Sequence, residues 1–520
     1  METTTGPVSS GLSTEPLAGR REWIGLGVLA LACLVYAMDL TVLHLAVPQI
    51  SATLHPTGTE LLWIIDVYGF MLAGLLITMG TLGDQIGRRR LLLSGAALFG
   101  AVSVLAAFAP SAELLILCRA LLGVAGATIA PSTLSLIFNM FRDARQRSLA
   151  VGTWVTAFSA GGVVGPLLGG LLLEHFWWGS VFLLAVPVMV LLLVLGPRVL
   201  PEFRDENAGR LDLVSAALSV VTMVALVLAM KKAAQDGFGT VPLLALIVGL
   251  AAGTVFARRQ LHRPDPMLDL RLFRLSTFRI GLTINVLAVF VMFGYFLFVA
   301  QYFQLVLGLS PMQTGLVMAP SSLGFIIGSQ AAPRLVRVIR PAYLIGGGTA
   351  LAAIGLAMLT LLSTSGSLAL AMVAALLVAL GTAPVFGITT ELVVGSAPPE
   401  QAGAASGLSE TGAELGGALG ISILGSISIA IYRGDLNDTL PHGLPGADSI
   451  RDTLGAAVET ANTLPGPLGT AVLDAARAAF VHGVHITSGI AAVAAALLAV
   501  LAVVKLRSIP AGELTGAQEH

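Results

Sequence analysis

Long apolar segments of about twenty residues recur along almost the whole chain, separated by short polar joints. A helix needs roughly 20 mostly apolar residues to cross the hydrocarbon core of a bilayer, whereas a strand of a membrane barrel needs about ten that alternate with polar positions. These segments are apolar all round, and the 520-residue chain is 56% hydrophobic and only 11% charged. Soluble domains carry roughly 25% charged residues. The sequence therefore predicts an all-α integral membrane protein and excludes a water-soluble fold.

Hydropathy windows of about 19 residues predict fourteen spanning helices. The first eight are expected at 23–47, 60–82, 91–109, 112–138, 148–170, 180–197, 212–230 and 240–257. The other six are expected at 278–305, 313–333, 341–361, 367–393, 403–431 and 484–505. The segment 23–47 is longer than a signal-peptide core, so we expect it to remain a membrane helix.

The lengths of the joints divide the spans into six, an inserted pair and six more, as in transporters built from two six-helix bundles. In segment 432–482 apolar residues recur at helical spacing around two prolines, which predicts a short helical hairpin on the outer surface. The predicted parts are the tail 1–22, the first bundle 23–200, the inserted pair with its linker 201–277, the second bundle 278–507 and the tail 508–520.

Positive charge collects on one side of the predicted spans. Alternate joints, together with the segments flanking the first and last spans, hold 22 of the 28 Lys and Arg residues. Short positively charged joints stay in the cytoplasm during membrane insertion. We therefore expect a multi-pass protein of the inner or plasma membrane with both termini in the cytoplasm.

The joint after the second span reads GTLGDQIGRRRLLL. Its glycines allow a tight turn, and its aspartate faces an arginine cluster with which it can lock or release neighbouring helices as charges re-pair. This string resembles the signature of the major facilitator superfamily, which implies the two-bundle transporter fold. The residues expected to control conformation are Gly80, Asp84, Gly87, Arg88 and Arg89.

The fifth span contains GGVVGPLLGG. Glycines at this spacing indicate close helix packing and nothing more by themselves. With the proline in the same pattern, the segment resembles the motif that marks antiporters within that superfamily. The residues that carry the resemblance are Gly161, Gly165, Pro166, Gly169 and Gly170.

The first span reads MDLTVLHLAVP and resembles the helix-one signature of fourteen-helix drug:proton antiporters. His44 departs from that pattern, in which Asn is frequent, and is expected to be a packed or interface histidine. The segments LWIIDVY, LSPMQTGLVMAP and SETGAELGG extend the resemblance to quaternary-ammonium and multidrug exporters over nearly the full length.

Charged residues inside the predicted spans are candidates for function, because a charge at the bilayer centre costs at least about 2.5–3.5 kcal/mol. The acids are expected to form a cavity that attracts cations. Burial favours the protonated form of a carboxyl group, so a proton and a cationic substrate can compete for the same site. The candidates are Asp39, Asp66, Arg119, Glu410 and Glu414.

Asp39 and Glu410 are the pair expected to act most directly in proton coupling or charge recognition, with Glu414 third. The family resemblance implies the same role for the helix-one and helix-thirteen acids. Arg119 is expected to pair with Asp39, either tuning that carboxylate or serving only as a structural ion pair. Asp66 is either a member of this group or a solvated residue at the cavity entrance.

The function predicted from these features is proton-coupled export of lipophilic cations, such as quaternary ammonium compounds, dyes and cationic antiseptics or antibiotics. The proton gradient supplies the energy and no cofactor is expected. An exporter of one antibiotic, siderophore or lipid-like metabolite in the same family is the alternative. A symporter that imports nutrients is disfavoured by the antiporter-like motif.

Other function classes lack their required residues. An ATP-driven pump needs a phosphate-binding loop ending in Gly-Lys, and none of the chain's three lysines follows a glycine. No spaced Cys, His or acid cluster predicts a metal site, and no serine or cysteine has an evident base, so no enzymatic activity is expected. The expected partners are small cationic substrates, protons and the lipid bilayer, with no nucleic acid, and the expected state is a monomer.

Overall fold

The computed structural model describes residues 17–204, 212–236, 239–263, 266, 270–397, 402–440 and 446–511. Most of both predicted tails lies outside these residues. The described part is helical, and 14 of its helices are long and apolar enough to cross a membrane. The number of spans predicted from the sequence is therefore confirmed.

The first half of the chain supplies eight spans. The sixth span is divided between two helices, α6 and α7, and the inserted pair consists of α8 and α9. The bounds are α1 Arg20–Leu54, α2 Gly58–Ile86, α3 Arg88–Ala107, α4 Ala112–Met140, α5 Ala144–His175, α6 Ser180–Leu183, α7 Ala185–Val199, α8 Leu213–Asp236 and α9 Thr240–His262.

The second half supplies six spans and a surface hairpin. A 3₁₀ turn over Leu270–Arg274 precedes α10, and a π-helical turn over Tyr302–Val306 follows it. The bounds are α10 Ser276–Gln301, α11 Pro311–Leu335, α12 Pro341–Leu359, α13 Leu368–Gly395, α14 Ala402–Thr439, α15 Ala447–Asp452, α16 Leu454–Thr463 and α17 Gly466–Leu506.

The predicted segment 432–482 is only partly a separate hairpin. Helix α14 continues to Thr439 and α17 already begins at Gly466, so the hairpin proper consists of α15 and α16. Hydropathy windows end where polar residues begin, but a helix continues through polar residues because its hydrogen bonds are internal. We call the side that carries α15 and α16 the hairpin face, and the side where α1 begins and α17 ends the terminal face.

Local signals explain where several helices begin. Thr57 caps α2 through a reciprocal pair of bonds, in which the Glu60 N–H donates to Thr57 Oγ1 at 3.2 Å and the Thr57 N–H donates to Glu60 Oε2 at 2.8 Å. Ser310 and Gln313 form the same arrangement at the start of α11. Both caps satisfy backbone donors on the hairpin face.

The helices pack as two bundles that meet along two seams. In the first bundle α1 packs on α5 and α2 on α4, and in the second α10 packs on α14 and α11 on α13. The bundles meet where α2 contacts α14 and where α5 contacts α11. This packing agrees with the two six-helix bundles predicted from the sequence.

Helix α8 of the inserted pair covers the seam between α2 and α14. Ser219 Oγ of α8 donates to the Gly74 carbonyl of α2 at 3.0 Å. Phe70, Val227 and Ala418, one from each of α2, α8 and α14, share a small apolar core. Helix α9 packs against α8, where Arg259 Nη2 pairs with Asp212 Oδ1 at 3.1 Å just before α8 begins.

The two bundles are closed against each other on the hairpin side. Gln304 Nε2 of the second bundle donates to the Leu45 carbonyl of α1 at 3.1 Å. Gly170 of α5 lies against Pro311 at the start of α11, so closely that a Cβ atom at Gly170 would be 2.6 Å from the Pro311 carbonyl oxygen. The two bundles are therefore in direct contact on the hairpin side in this conformation.

Candidate substrate and proton site

A buried ion pair joins α1 to α4. Arg119 Nη1 donates to Asp39 Oδ2 at 2.6 Å, and Arg119 and Asp39 are only 2% and 8% exposed. Arg119 Nε also donates to the Ile64 carbonyl of α2 at 3.1 Å, and the guanidinium lies 4.6 Å from the centre of the Tyr68 ring. The pairing of Arg119 with Asp39 expected from the sequence is present, and it neutralises both charges inside the first bundle.

The two acids of α14 face the first bundle. Tyr36 Oη of α1 donates to Glu414 Oε1 at 3.2 Å, and Glu410 interacts electrostatically with Cys33 and Tyr36 on the same side of α1. Both carboxyl groups are half-buried. Among the described residues neither forms an ion pair with a basic side chain, so their charge is uncompensated when they are ionised.

Tyrosines connect the α14 acids with the buried ion pair. Tyr68 interacts electrostatically with Asp39, Arg119 and Glu414, and within the described part of the chain its hydroxyl has no hydrogen-bond partner. Glu414, which ranked third among the predicted acids, is thus the α14 acid that accepts a hydrogen bond from α1. The structure brings Asp39, Arg119, Glu410 and Glu414 together around Tyr36 and Tyr68.

Asp66 lies on the seam between the bundles. It is 1% exposed, and Ser422 Oγ of α14 donates to Asp66 Oδ2 at 2.5 Å. Ser422 is two turns beyond Glu414 toward the hairpin face. Asp66 is therefore part of the closed hairpin-side contact in this conformation rather than a solvated residue at an entrance.

His44 lies farther along α1, between Asp39 and the closed hairpin side. It is 2% exposed, its ring packs 6.3 Å from the ring of Phe296 of α10, and its Nδ1 has no hydrogen-bond partner among the described residues. It fits the expected role of a packed histidine at the interface of the bundles.

Glu391 is a further membrane-embedded acid that the predicted site did not include. This residue lies inside the predicted span 367–393 and, in the structure, in the terminal-face half of α13, where its side chain is half-buried. Its carboxyl group forms no ion pair with the described basic side chains. Its position inside an apolar span is the signal in the sequence that marks it.

The motif at the end of α2 forms a network of ion pairs on the terminal face. Arg88 Nε donates to Asp84 Oδ1 at 2.8 Å, whereas Arg89 Nε lies 3.4 Å from Glu202 Oε2 beyond α7. Gly87 adopts φ 111°, which favours glycine, and a Cβ atom there would overlap Glu202. Glu202, absent from the sequence prediction, therefore ties the motif to the end of the first bundle, while Gly80 packs loosely near Pro131.

The glycines of the antiporter-like motif form a stripe along α5. A Cβ atom at Gly161 would lie 2.5 Å from the Leu34 carbonyl oxygen of α1, and one at Gly165 would lie 2.5 Å from Thr41 Oγ1. Gly169 packs on Val42 in the same way, while the carbonyl of Pro166 lies against Gly315 of α11. The stripe holds α5 in backbone contact with the helix that carries Asp39.

A similar stripe occurs on α14. Gly412, Gly416 and Gly420 pack on α10 with the same four-residue spacing, and Cβ atoms at Gly416 and Gly420 would overlap backbone carbonyls of Val286 and Phe290. Helix α14, which carries the two acids, and helix α1, which carries Asp39, each pack closely on a neighbouring helix through small residues.

Replacement of Gly161 by alanine should lower stability by about 1–3 kcal/mol, because the added methyl group overlaps backbone of α1 that cannot move away. Gly162→Ala is the matched control, since nothing lies within 4 Å of a Cβ atom at that position. Thermal unfolding of the two purified variants measures the difference. Equal melting temperatures would show that the stripe tolerates a side chain.

Two helical bundles that close around buried charges within a membrane-spanning fold define the class of this molecule as a membrane transporter. The chain belongs to the Major Facilitator Superfamily, whose family model matches residues 29–421. The resemblance seen in the motifs is confirmed by this match and by the relatives described next.

Two curated relatives cover almost the whole chain. The multidrug efflux pump LfrA of Mycolicibacterium smegmatis is 44% identical over 474 residues, which are 91% of this chain and 94% of that protein. The methyl viologen resistance protein SmvA of Salmonella typhimurium is 37% identical over 476 residues, which are 90% of this chain and 95% of that protein.

A solved structure shares the fold. A bacterial homolog of the human lysosomal transporter Spinster superposes with a TM-score of 0.63 over 94% of this chain and 99% of that chain, at 18% sequence identity. The family, the relatives and the fold together identify a multi-pass membrane transporter and not an enzyme.

Proposed function

We propose that this transporter exports drugs by exchanging lipophilic cations for protons. The observation that carries the proposal is the pair of carboxyl groups of Glu410 and Glu414, which face α1 without a basic partner among the described residues. A cation can bind where negative charge is uncompensated and water is scarce. Relatives that pump multiple drugs or confer resistance to methyl viologen support export of small molecules.

The orientation of the protein in the membrane is inferred from the charge of the joints. The terminal face carries most of the Lys and Arg residues and is therefore assigned to the cytoplasm. Since the hairpin side is closed, the proposal requires that the half-buried α14 acids are reached from the cytoplasmic side in this conformation. A cation would enter from the cytoplasm and bind to the ionised carboxylates.

Exchange requires that the bundles rock so that the seam on the hairpin face opens and the terminal side closes. A proton from outside then neutralises the carboxylate and displaces the cation, and the protonated protein returns to release the proton into the cytoplasm. Tyr36 and Tyr68 lie between the buried Asp39–Arg119 pair and this site. The electrostatic field of the pair therefore acts on the acid that binds the proton. One negative site thus alternates between a proton and a cation.

Everted membrane vesicles with an acidic lumen test this proposal. Ethidium should accumulate in vesicles that contain the protein, and accumulation should stop when an ionophore collapses the pH gradient. Accumulation that persists without a gradient contradicts proton coupling. If expression leaves the tolerance of cells to ethidium and quaternary ammonium compounds unchanged, export of one specific antibiotic or metabolite becomes the better assignment.

A further inference from the structure

A cavity lies beneath the α15–α16 hairpin, between the two bundles. Its walls come from α2 of the first bundle, from α10, α14 and α17 of the second, and from the hairpin itself. Gly425 is the lining residue of α14 nearest to Glu414, and it lies about 16 Å farther along the helix toward the hairpin face. The bond between Asp66 and Ser422 separates the cavity from the α14 acids. The cavity therefore lies on the path by which a cation would leave.

The lining of the cavity combines aromatic rings with one carboxylate. Phe298, Tyr432 and Phe480 contribute rings, and Asp452 is the one acid among the described residues that line it. The faces of aromatic rings attract cations, most strongly where water is excluded. These groups suit an organic cation, and the cavity, whose volume is about 50 Å³, has to widen to hold one.

The Asp452 carboxylate already forms an ion pair with a basic side chain of the protein. Arg433 Nη2 of α14 is bonded to Asp452 Oδ1, while Arg433 Nε is buried without a hydrogen-bond partner in the described part of the chain. Burial raises the pKa of the Asp452 carboxyl, the Arg433 guanidinium lowers it, and the nearby acids Asp448 and Glu60 raise it again. The Asp452 side chain is 25% exposed and is bonded by Arg433 at Oδ1, so a second cation can reach this carboxylate and compete with the guanidinium for it.

The hairpin that roofs the cavity touches both bundles. Gly455 packs on the end of α1, where a Cβ atom would lie 2.6 Å from Ser51 Cβ, and His55 Nδ1 lies 3.8 Å from Glu459 Oε2 of α16. On the other side Tyr432 Oη of α14 donates to the Ile450 carbonyl at 2.9 Å. The hairpin can therefore move away from the cavity only when its contacts with α14 or with α1 break.

We propose that this cavity is a second binding site for lipophilic cations on the exit side, where the cation replaces the Arg433 guanidinium as the partner of Asp452. The inference rests on the proposed export of cations. Displacement of Arg433 breaks one of the interactions between the hairpin and α14. Binding of the substrate thereby weakens the packing of the hairpin over the cavity on the exit side.

Photolabelling of the purified full-length protein with ethidium monoazide, followed by mass spectrometry, locates bound cation directly. Label is expected on the segments that contain Tyr432 or Phe480. Asp452→Asn should lower that labelling by about fivefold, whereas Arg433→Gln should raise it by about fivefold because it frees the carboxylate. Asp438→Asn is the control, since this exposed acid near the end of α14 is not among the residues that line the cavity.

The opposite directions expected for the two variants separate binding from a structural effect. A disturbed hairpin lowers labelling in both variants, and that result overturns the proposal, as does equal labelling of Asp452→Asn and the parent. Transport assays of the parent distinguish the two levels of inference. A parent that does not move ethidium contradicts the proposed function, whereas a parent that moves it without labelling near Tyr432 contradicts only the exit site.

Discussion

Replacing Glu410 and Glu414 together by glutamine should reduce proton-driven efflux of ethidium by roughly 100-fold. Each charge-assisted contact between a carboxylate and a cation is worth about 1.5–3 kcal/mol, or roughly ten- to a hundredfold in binding. Glutamine keeps the size of the side chain and still accepts the hydrogen bond from Tyr36, so the change isolates the charge. Each single variant should lose about tenfold.

The control for this experiment is Asp438→Asn, which removes an exposed acid from the hairpin-face end of the same helix. Its efflux should equal that of the parent. Efflux is followed in everted vesicles after matching the amount of inserted protein. Gradient-driven efflux that survives in the double variant would show that the α14 acids do not bind the exchanged ions.

Asp39→Asn should lower the free energy of unfolding by about 3–5 kcal/mol, because it leaves the Arg119 guanidinium charged, buried and without its anion. Arg119 keeps its bond to the Ile64 carbonyl, but a carbonyl does not neutralise a charge. The double variant Asp39→Asn with Arg119→Gln should recover much of this loss. Thermal unfolding in detergent, analysed as a double-mutant cycle, measures the coupling.

Transport separates structural from functional roles of the same pair. If the pair only supports the fold, the double variant should regain efflux together with stability. If it tunes the neighbouring acids, efflux should stay low while stability returns, which is the result we expect from the position of Tyr68 between Arg119 and Glu414. Arg198→Gln serves as the control, since within the described part of the chain this exposed arginine bonds only a carbonyl of its own helix.

Much of the site was visible in the sequence because charged residues inside apolar spans are rare. The ion pair between Asp39 and Arg119 was predicted because Arg119 was the one basic residue among the candidates in the spans. The ranking of Glu410 above Glu414 did not predict which acid contacts α1. Helical spacing places both on one face and does not indicate which one accepts the hydrogen bond from Tyr36. Glu391 was visible within a predicted span and was overlooked.

Other features required the packed molecule. The partner of Arg89 is Glu202, more than a hundred residues away, and no local pattern relates the two. The glycine stripe of α14 against α10 matters because of the helix it faces, which spacing alone does not identify. The extension of α14 and α17 beyond the apolar windows also appears only in the structure, because helical hydrogen bonding continues through polar residues.

The sequence by itself determined the number and order of the membrane helices and the family, because apolar length and short motifs are local properties of the chain. The side on which each joint lies stays a prediction from its charge. The tertiary structure decided which buried charges are neutralised and which are left without a counter-ion. That outcome depends on which helix faces meet. In a low-dielectric interior, a change of a few ångströms in the distance between two side chains decides whether an acid is neutralised by an ion pair or remains able to bind a cation.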